Sequence, residues 1–164
     1  MADEKERLQN AQWVFERQLA WIAAAEVKIG VIVALDTGML GALGAAFSAE
    51  KVHSAWAIVW LIGASFCLGS ALICCAIALL PRVNGPVSSL LFFGTISKIA
   101  SDDYIRKFKN ATTNELLDDW CCQIHRNSEI AVAKFLYVRK SILFSFLSIG
   151  PWFIAIITLL KIAS

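Results

Sequence analysis

The sequence predicts an all-α membrane protein with three transmembrane helices and long helices that extend into the cytoplasm. Of its 164 residues, 58% are hydrophobic, and the mean hydropathy is +0.64. So much apolar surface needs a second solvent, which the bilayer supplies. The apolar residues recur at helical spacing, without strand alternation or an internal repeat.

Three stretches are long and apolar enough to span a membrane, since ~20 residues cross ~30 Å of hydrocarbon. The first covers about 29–47 and contains one acid, Asp36. The second covers 55–80 and the third 141–160, and neither contains a charged residue. The charged amino end does not resemble a cleaved signal peptide, so we expect the first span to direct insertion.

The distribution of basic residues predicts the topology. Residues 82–140 hold nine of the fifteen Lys and Arg residues, and the positive-inside rule places them in the cytoplasm together with the amino end. We therefore expect a multi-pass membrane protein whose amino end lies in the cytoplasm. Its segments are a cytoplasmic amphipathic helix (1–28), two spans with a short outer connection (29–80), a cytoplasmic helical segment (81–140) and the third span (141–164).

Two long helices are expected to continue from the cytoplasm into the membrane. Thr112 lies three residues before Glu115, which is the signal of a capping box at a helix start. The apolar residues that follow keep helical spacing into the third span, and those of the amino end lead similarly into the first. We expect Pro81 to end the second span, because a proline lacks the backbone N–H of the helix ladder and disfavours the helical conformation of the residue before it.

Asp36 is the candidate pore or gating residue, together with the adjacent Thr37 and with Lys28. We place Lys28, two turns earlier, on the same helix face as Asp36. A carboxyl group in hydrocarbon costs roughly 3 kcal/mol on insertion scales, so it usually faces water or a partner. The alternative is an aspartate hydrogen-bonded inside the helical bundle.

Small residues four apart form a smooth ridge on the first span, consisting of Ala34, Gly38, Ala42 and Ala46. Such a ridge lets helices approach closely. Packing against the second span is the more ordinary interpretation, and self-association is the alternative. A pore would require several copies, because three helices enclose too little space for a water path.

Basic side chains between the second and third spans could bind the phosphate of a small anionic ligand. Asp119 and Gln123 could bind its base or ribose. A solvated charged face beside lipid headgroups would produce the same pattern. The candidate ligand-binding residues are Arg82, Lys98, Asp119, Gln123, Lys134 and Arg139, and further basic residues of this segment are Arg106, Lys107 and Lys109.

Several classes of function find no support in the sequence. A net charge of +2 gives no case for nucleic acid binding. The five cysteines form no CxxC pair and the two histidines are isolated, so neither a metal site, a disulfide framework nor a catalytic constellation is indicated. We expect no enzymatic activity and no cofactor.

The order of these features resembles the transmembrane effectors of bacterial Pycsar antiphage defence. The matching pieces are Ala25-Glu26-Val27-Lys28 before Leu35-Asp36, Pro81-Arg82, Leu91-Phe92-Phe93-Gly94 with Ile96, Tyr104, then Leu116, Asp119, Gln123, Ile124 and His125, and finally Lys134-Phe135 and Arg139 before the last span.

The resemblance implies a membrane effector that a cyclic pyrimidine nucleotide, cCMP or cUMP, activates. A cognate cyclase would supply this ligand, and the effector, as a homo-oligomer in the lipid bilayer, would impair inner-membrane integrity and cause growth arrest or abortive infection. The alternatives are a ligand-independent, holin-like lytic protein and a membrane anchor that docks a protein partner.

Overall fold

The computed structural model describes residues 3–49, 54–81 and 85–160. The helices are α1 (Glu4–Ser48), α2 (Ala55–Leu79), α3 (Phe93–Ile96), α4 (Ser101–Asn110) and α5 (Thr113–Leu160). Every regular element among these residues is a helix, which confirms the all-α prediction. Three helices, α1, α2 and α5, are long and apolar enough to cross a membrane.

Some sequence-based predictions concern residues outside the described ranges. The candidate ligand residue Arg82 is one of them. The charges of the predicted outer connection, Glu50, Lys51 and His53, are outside as well.

The structure confirms the predicted start of α5 and the predicted end of α2. Glu115 accepts hydrogen bonds from the backbone N–H (2.7 Å) and the hydroxyl (2.9 Å) of Thr112, and Glu115 N–H donates to Thr112 Oγ1 at 3.3 Å. This capping box starts α5, which then continues for 48 residues. α2 begins after Ser54, whose side chain accepts from Ala57 N–H, and ends before Pro81.

α4 is a helix that the apolar pattern does not predict, because it is polar over most of its ten residues. Its charges favour a helix in another way. Asp102 and Asp103 lie in the first turn and Lys107 and Lys109 in the last, where they complement the helix dipole.

The chain divides into two compact units. One, here called the loop-bearing unit, comprises Met1–Ala24 and Pro81–Ala133. The other, the span unit, comprises Ala25–Leu80 and Lys134–Ser164. Both α1 and α5 contribute residues to each unit.

The core of the span unit is made largely of small side chains. One face of α2 is buried at intervals of three, four or seven residues, through Ala57, Ala64, Leu68, Ala71, Cys75 and Ala78. Ile29 of α1 and Val138 of α5 pack with Cys75 and Ala78 in one cluster. Opposite this face, Phe66 and Ile73 are exposed, as expected for side chains that meet lipid tails.

The small-residue ridge of α1 does not pack as the ordinary interpretation expects. Ala46 is buried and belongs to a cluster with Ala57 of α2. Ala34, Gly38 and Ala42 are exposed, and a Cβ built at Gly38 would meet nothing within 4 Å. Most of the ridge is therefore open to a neighbouring helix from outside the chain.

Candidate functional site

Ser89 organises the loop before α3. Its side chain is buried, and its Oγ accepts hydrogen bonds from the N–H groups of Leu91 (3.0 Å) and Phe92 (2.8 Å). Gln123 of α5 donates to the same oxygen from Nε2 at 2.9 Å. One hydroxyl thus holds the loop backbone against α5.

Asp119 fixes the same loop from a second point. Its Oδ2 accepts from the N–H groups of Leu90 at 2.7 Å and Leu91 at 3.1 Å. Tyr104 of α4 donates its hydroxyl hydrogen to the carbonyl oxygen of Leu90 at 3.1 Å. The loop is therefore held by α4 and α5 together. These bonds give it a defined shape although its described residues contain no helix or strand.

A pocket of about 630 Å³ opens beside this loop, within the loop-bearing unit. Pockets of 300–1,000 Å³ are of the size that holds small molecules. Three segments line the pocket: the loop supplies Pro86, Ser88, Ser89 and Leu90, α4 and its end supply Arg106, Lys107, Asn110 and Ala111, and α5 supplies Glu115, Asp118, Asp119 and Cys122.

The charges of the pocket are segregated by helix. Arg106 and Lys107 form a cationic wall on α4, whereas Glu115, Asp118 and Asp119 form an acidic wall on α5. Arg106 also pairs with Asp103 at 2.6 Å, on the exposed surface of its own helix. The hydrogen bonds from the Thr112 backbone and hydroxyl lower the pKa of Glu115, so its carboxylate stays charged at neutral pH.

Five of the six candidate ligand residues lie in the described part of the chain, and they are divided between the two units. Asp119 lines the pocket, and Gln123 is buried behind the loop rather than in the lining. Lys98 is exposed after α3. Lys134 and Arg139 belong to the span unit, where Arg139 is exposed.

Lys134 has a partner of its own. Its Nζ lies 2.5 Å from Oε1 of Glu26 on α1, and its side chain is 10% exposed whereas that of Glu26 is 49% exposed. The ammonium group is thus largely withdrawn from solvent. In this structure it joins α1 to α5 instead of presenting a free cation.

Asp36 lies inside the span unit and is 1% exposed. Ser145 of α5 donates its hydroxyl hydrogen to Asp36 Oδ2 at 2.8 Å, with the carbonyl oxygen of Ser141 as an alternative acceptor at 3.0 Å. Further along, Trp152 Nε1 donates to the carbonyl oxygen of Met39 at 2.9 Å. These bonds supply polar partners between α1 and α5 at membrane depth, where water is absent.

The expected common face of Lys28 and Asp36 is wrong. Lys28 and Thr37 are exposed, whereas Asp36 is buried. Eight residues turn an α-helix about 80° beyond two full turns at ~3.6 residues per turn, so Lys28 lies to one side of Asp36. The three residues do not form a single polar patch within the chain.

The pocket also contains residues that the apolar periodicity could not identify. Asn110, Glu115 and Asp118 were not ligand candidates, because the candidates were basic residues and two polar residues of the long helix, and Glu115 already has a capping role. The order of charges along the chain was the available signal. Acidic and then basic residues occur along 102–109, and further acidic residues follow at 115–119. No group of three His, Cys, Asp or Glu residues suited to a metal ion occurs among the described residues.

Comparisons with known proteins extend this description. A model of the Pycsar effector protein domain matches residues 10–161. The Pycsar effector protein PtPycTM of Propioniciclava tarda is 26% identical over 157 residues, which cover 89% of this chain and 77% of the relative. No solved structure matches the chain significantly.

Proposed function

Because the chain belongs to the Pycsar effector protein family, we propose that it is an antiphage effector of the bacterial inner membrane that a cyclic pyrimidine mononucleotide activates. The observation that carries the proposal is the family match over residues 10–161 in a chain with three helices able to cross a membrane. The amino end and the segment between the second and third spans face the cytoplasm, where a cyclase product would reach them.

Activation requires that the ligand bind one state of the protein more tightly than another. Ligand binding in the loop-bearing unit would change the start of α5, and α5 also belongs to the span unit. This shared helix supports a mechanical connection between the ligand and the membrane.

The output is loss of inner-membrane integrity, produced by an oligomer. The exposed ridge Ala34, Gly38 and Ala42 supports association of α1 helices, since small residues allow close packing in lipid. Asp36 is the proposed gating residue. In the resting chain it is paired with Ser145, so opening would exchange this partner for water.

Leakage of dye from liposomes that contain the purified protein tests the proposal. Each liposome sample receives cCMP, cUMP, cAMP or cGMP, and we expect leakage with a cyclic pyrimidine nucleotide only. Leakage without any nucleotide would favour a holin-like lytic protein. Absence of leakage under every condition would favour a membrane anchor.

A further inference from the structure

The pocket beside Ser89 has two chemically different walls. Arg106 and Lys107 come from α4, and Glu115 and Asp118 come from α5. A purely anionic ligand would be repelled by the α5 wall, and a purely cationic one by the α4 wall. The pocket therefore suits a molecule with an anionic end and an end rich in hydrogen-bond donors.

A mononucleotide has this polarity when its base carries an amino group. Guanidinium and ammonium groups bind phosphate oxygens through charge-assisted hydrogen bonds. Carboxylates accept hydrogen bonds from the exocyclic amino group of cytosine. Uracil presents a carbonyl oxygen at the corresponding position, which a carboxylate repels.

We propose that this pocket is the site of the activating ligand, with the cyclic phosphate bound by Arg106 and Lys107 and the base bound by Glu115 and Asp118, and that it selects cCMP over cUMP. This inference rests on the proposed function, because it names the ligand of the same effector. Asn110, between the two walls in sequence and part of the lining, can both donate and accept toward the ribose or base.

Asp119 and Ser89 have a positioning role here. Oδ2 of Asp119 is occupied by two loop N–H groups, and Ser89 Oγ by three donors. They shape the loop that closes one side of the pocket, and the ligand is held by the neighbouring side chains.

Equilibrium binding of cCMP and cUMP to the full-length protein in detergent micelles tests the location. Lys107→Ala should weaken cCMP binding about tenfold, since it removes one charge-assisted contact. Lys109→Ala is the matched control: Lys109 is also exposed and in the last turn of α4, but it does not line the pocket. Equal affinities of the Lys107 and Lys109 variants would overturn the location.

Asp118→Asn tests whether the base of the nucleotide lies against the α5 wall. If Asp118 accepts from the cytosine amino group, the variant should bind cCMP less tightly and cUMP no less tightly than the parent, so that the preference for cCMP shrinks about tenfold. If Asp118 merely lies near the phosphate, losing its negative charge should strengthen the binding of both nucleotides, and the proposed orientation fails. Tighter binding of cUMP than of cCMP by the parent would also overturn it.

The two proposals fail differently. Nucleotide-dependent leakage that persists unchanged in Lys107→Ala and Asp118→Asn would refute this pocket and leave the proposed function standing. A parent protein whose leakage responds to no cyclic pyrimidine nucleotide would refute the proposed function, and this assignment with it.

Discussion

Lys134 of α5 and Glu26 of α1 form an ion pair in which the two partners differ in exposure, at 10% for the lysine side chain and 49% for the glutamate. Their atoms approach to 2.5 Å. The pair lies beside a core cluster of the span unit. Ala25, which precedes Glu26, and Val138, one turn after Lys134, both belong to that cluster. The difference in exposure decides which partner is costlier to remove.

Glu26→Gln should destabilise the protein more than Lys134→Met. Removing the carboxylate leaves a largely buried ammonium group without its counter-charge, which we expect to cost about 2 kcal/mol. Removing the lysine leaves a carboxylate that water can still reach, at a cost of about 1 kcal/mol or less. Thermal unfolding followed by circular dichroism in detergent micelles measures both variants.

A charge reversal supplies the control. Glu26→Lys combined with Lys134→Glu should recover part of the stability that Glu26→Lys alone loses. We also expect Lys134→Met to leave cCMP affinity unchanged, because its ammonium group already has a partner. A large loss of affinity would instead restore the sequence-based prediction that Lys134 binds the phosphate.

Ser145→Ala should lower the nucleotide concentration needed for leakage. It removes the donor that holds Asp36 in this structure, so the exchange of that partner for water becomes less costly. Asp36→Ala should abolish leakage if the acid lines the water path. The assay is nucleotide titration of dye leakage from liposomes.

Ser70→Ala is the control for Ser145→Ala, because Ser70 bonds to the carbonyl oxygen of Phe66 in its own helix. It should behave as the parent does. Full leakage from Asp36→Ala would remove Asp36 from the proposed path and leave it a packing role.

Gly38→Leu should prevent the close association of α1 helices. Nothing within the chain lies near a Cβ at this position, so the substitution leaves the isolated fold intact and fills the surface that a neighbouring copy would contact. Chemical cross-linking in liposomes should show fewer high-order species, and leakage should fall about tenfold.

Gly150→Leu provides the comparison for Gly38→Leu. Gly150 is an exposed glycine of α5 that also has open space around it, and it lies outside the ridge. If both variants cross-link and leak like the parent, the ridge does not mediate association.

The long helices could be predicted from the sequence because each has a local signal. Thr112 and Glu115 cap α5, Pro81 stops α2, and the apolar runs exceed the length that a bilayer requires. α4 lacks such a run. Its formation depends on charges placed for the helix dipole and on the contact of Tyr104 with the loop, which is tertiary.

The candidate site was only partly predictable for the same reason. A list of basic residues contains Arg106 and Lys107 but does not show which cations share a pocket. Nor could the sequence show that Lys134 is paired with Glu26, 108 positions away. The length and apolar composition of the first span did predict Asp36 at membrane depth, but the position of Ser145 opposite it depends on how α1 and α5 pack.

Acidification should destabilise the start of α5 through Glu115. Its pKa is lowered from an ordinary value of 4.5 by the hydrogen bonds from Thr112, so the charged form is favoured in the folded state. The resulting stabilisation is complete above pH 4.5 and is lost as the pH falls through the lowered pKa. Thermal unfolding at a series of pH values should show a decline that Glu115→Gln reduces.

Ser89→Ala should disturb the loop and the pocket together. The variant removes the acceptor of the Phe92 N–H and of the Gln123 amide, and one of the two acceptors of the Leu91 N–H, which keeps Asp119. Buried donors left unpaired cost about 1–3 kcal/mol each before relaxation. We expect a loss of about 2 kcal/mol in stability, faster hydrogen exchange at Leu91 and Phe92, and weaker cCMP binding. Ser97→Ala is the control, since the Ser97 hydroxyl is exposed and makes only a 3.4 Å bond to the Gly94 carbonyl oxygen. Unchanged exchange at Leu91 and Phe92 in the Ser89 variant would mean that Asp119 alone suffices to hold the loop.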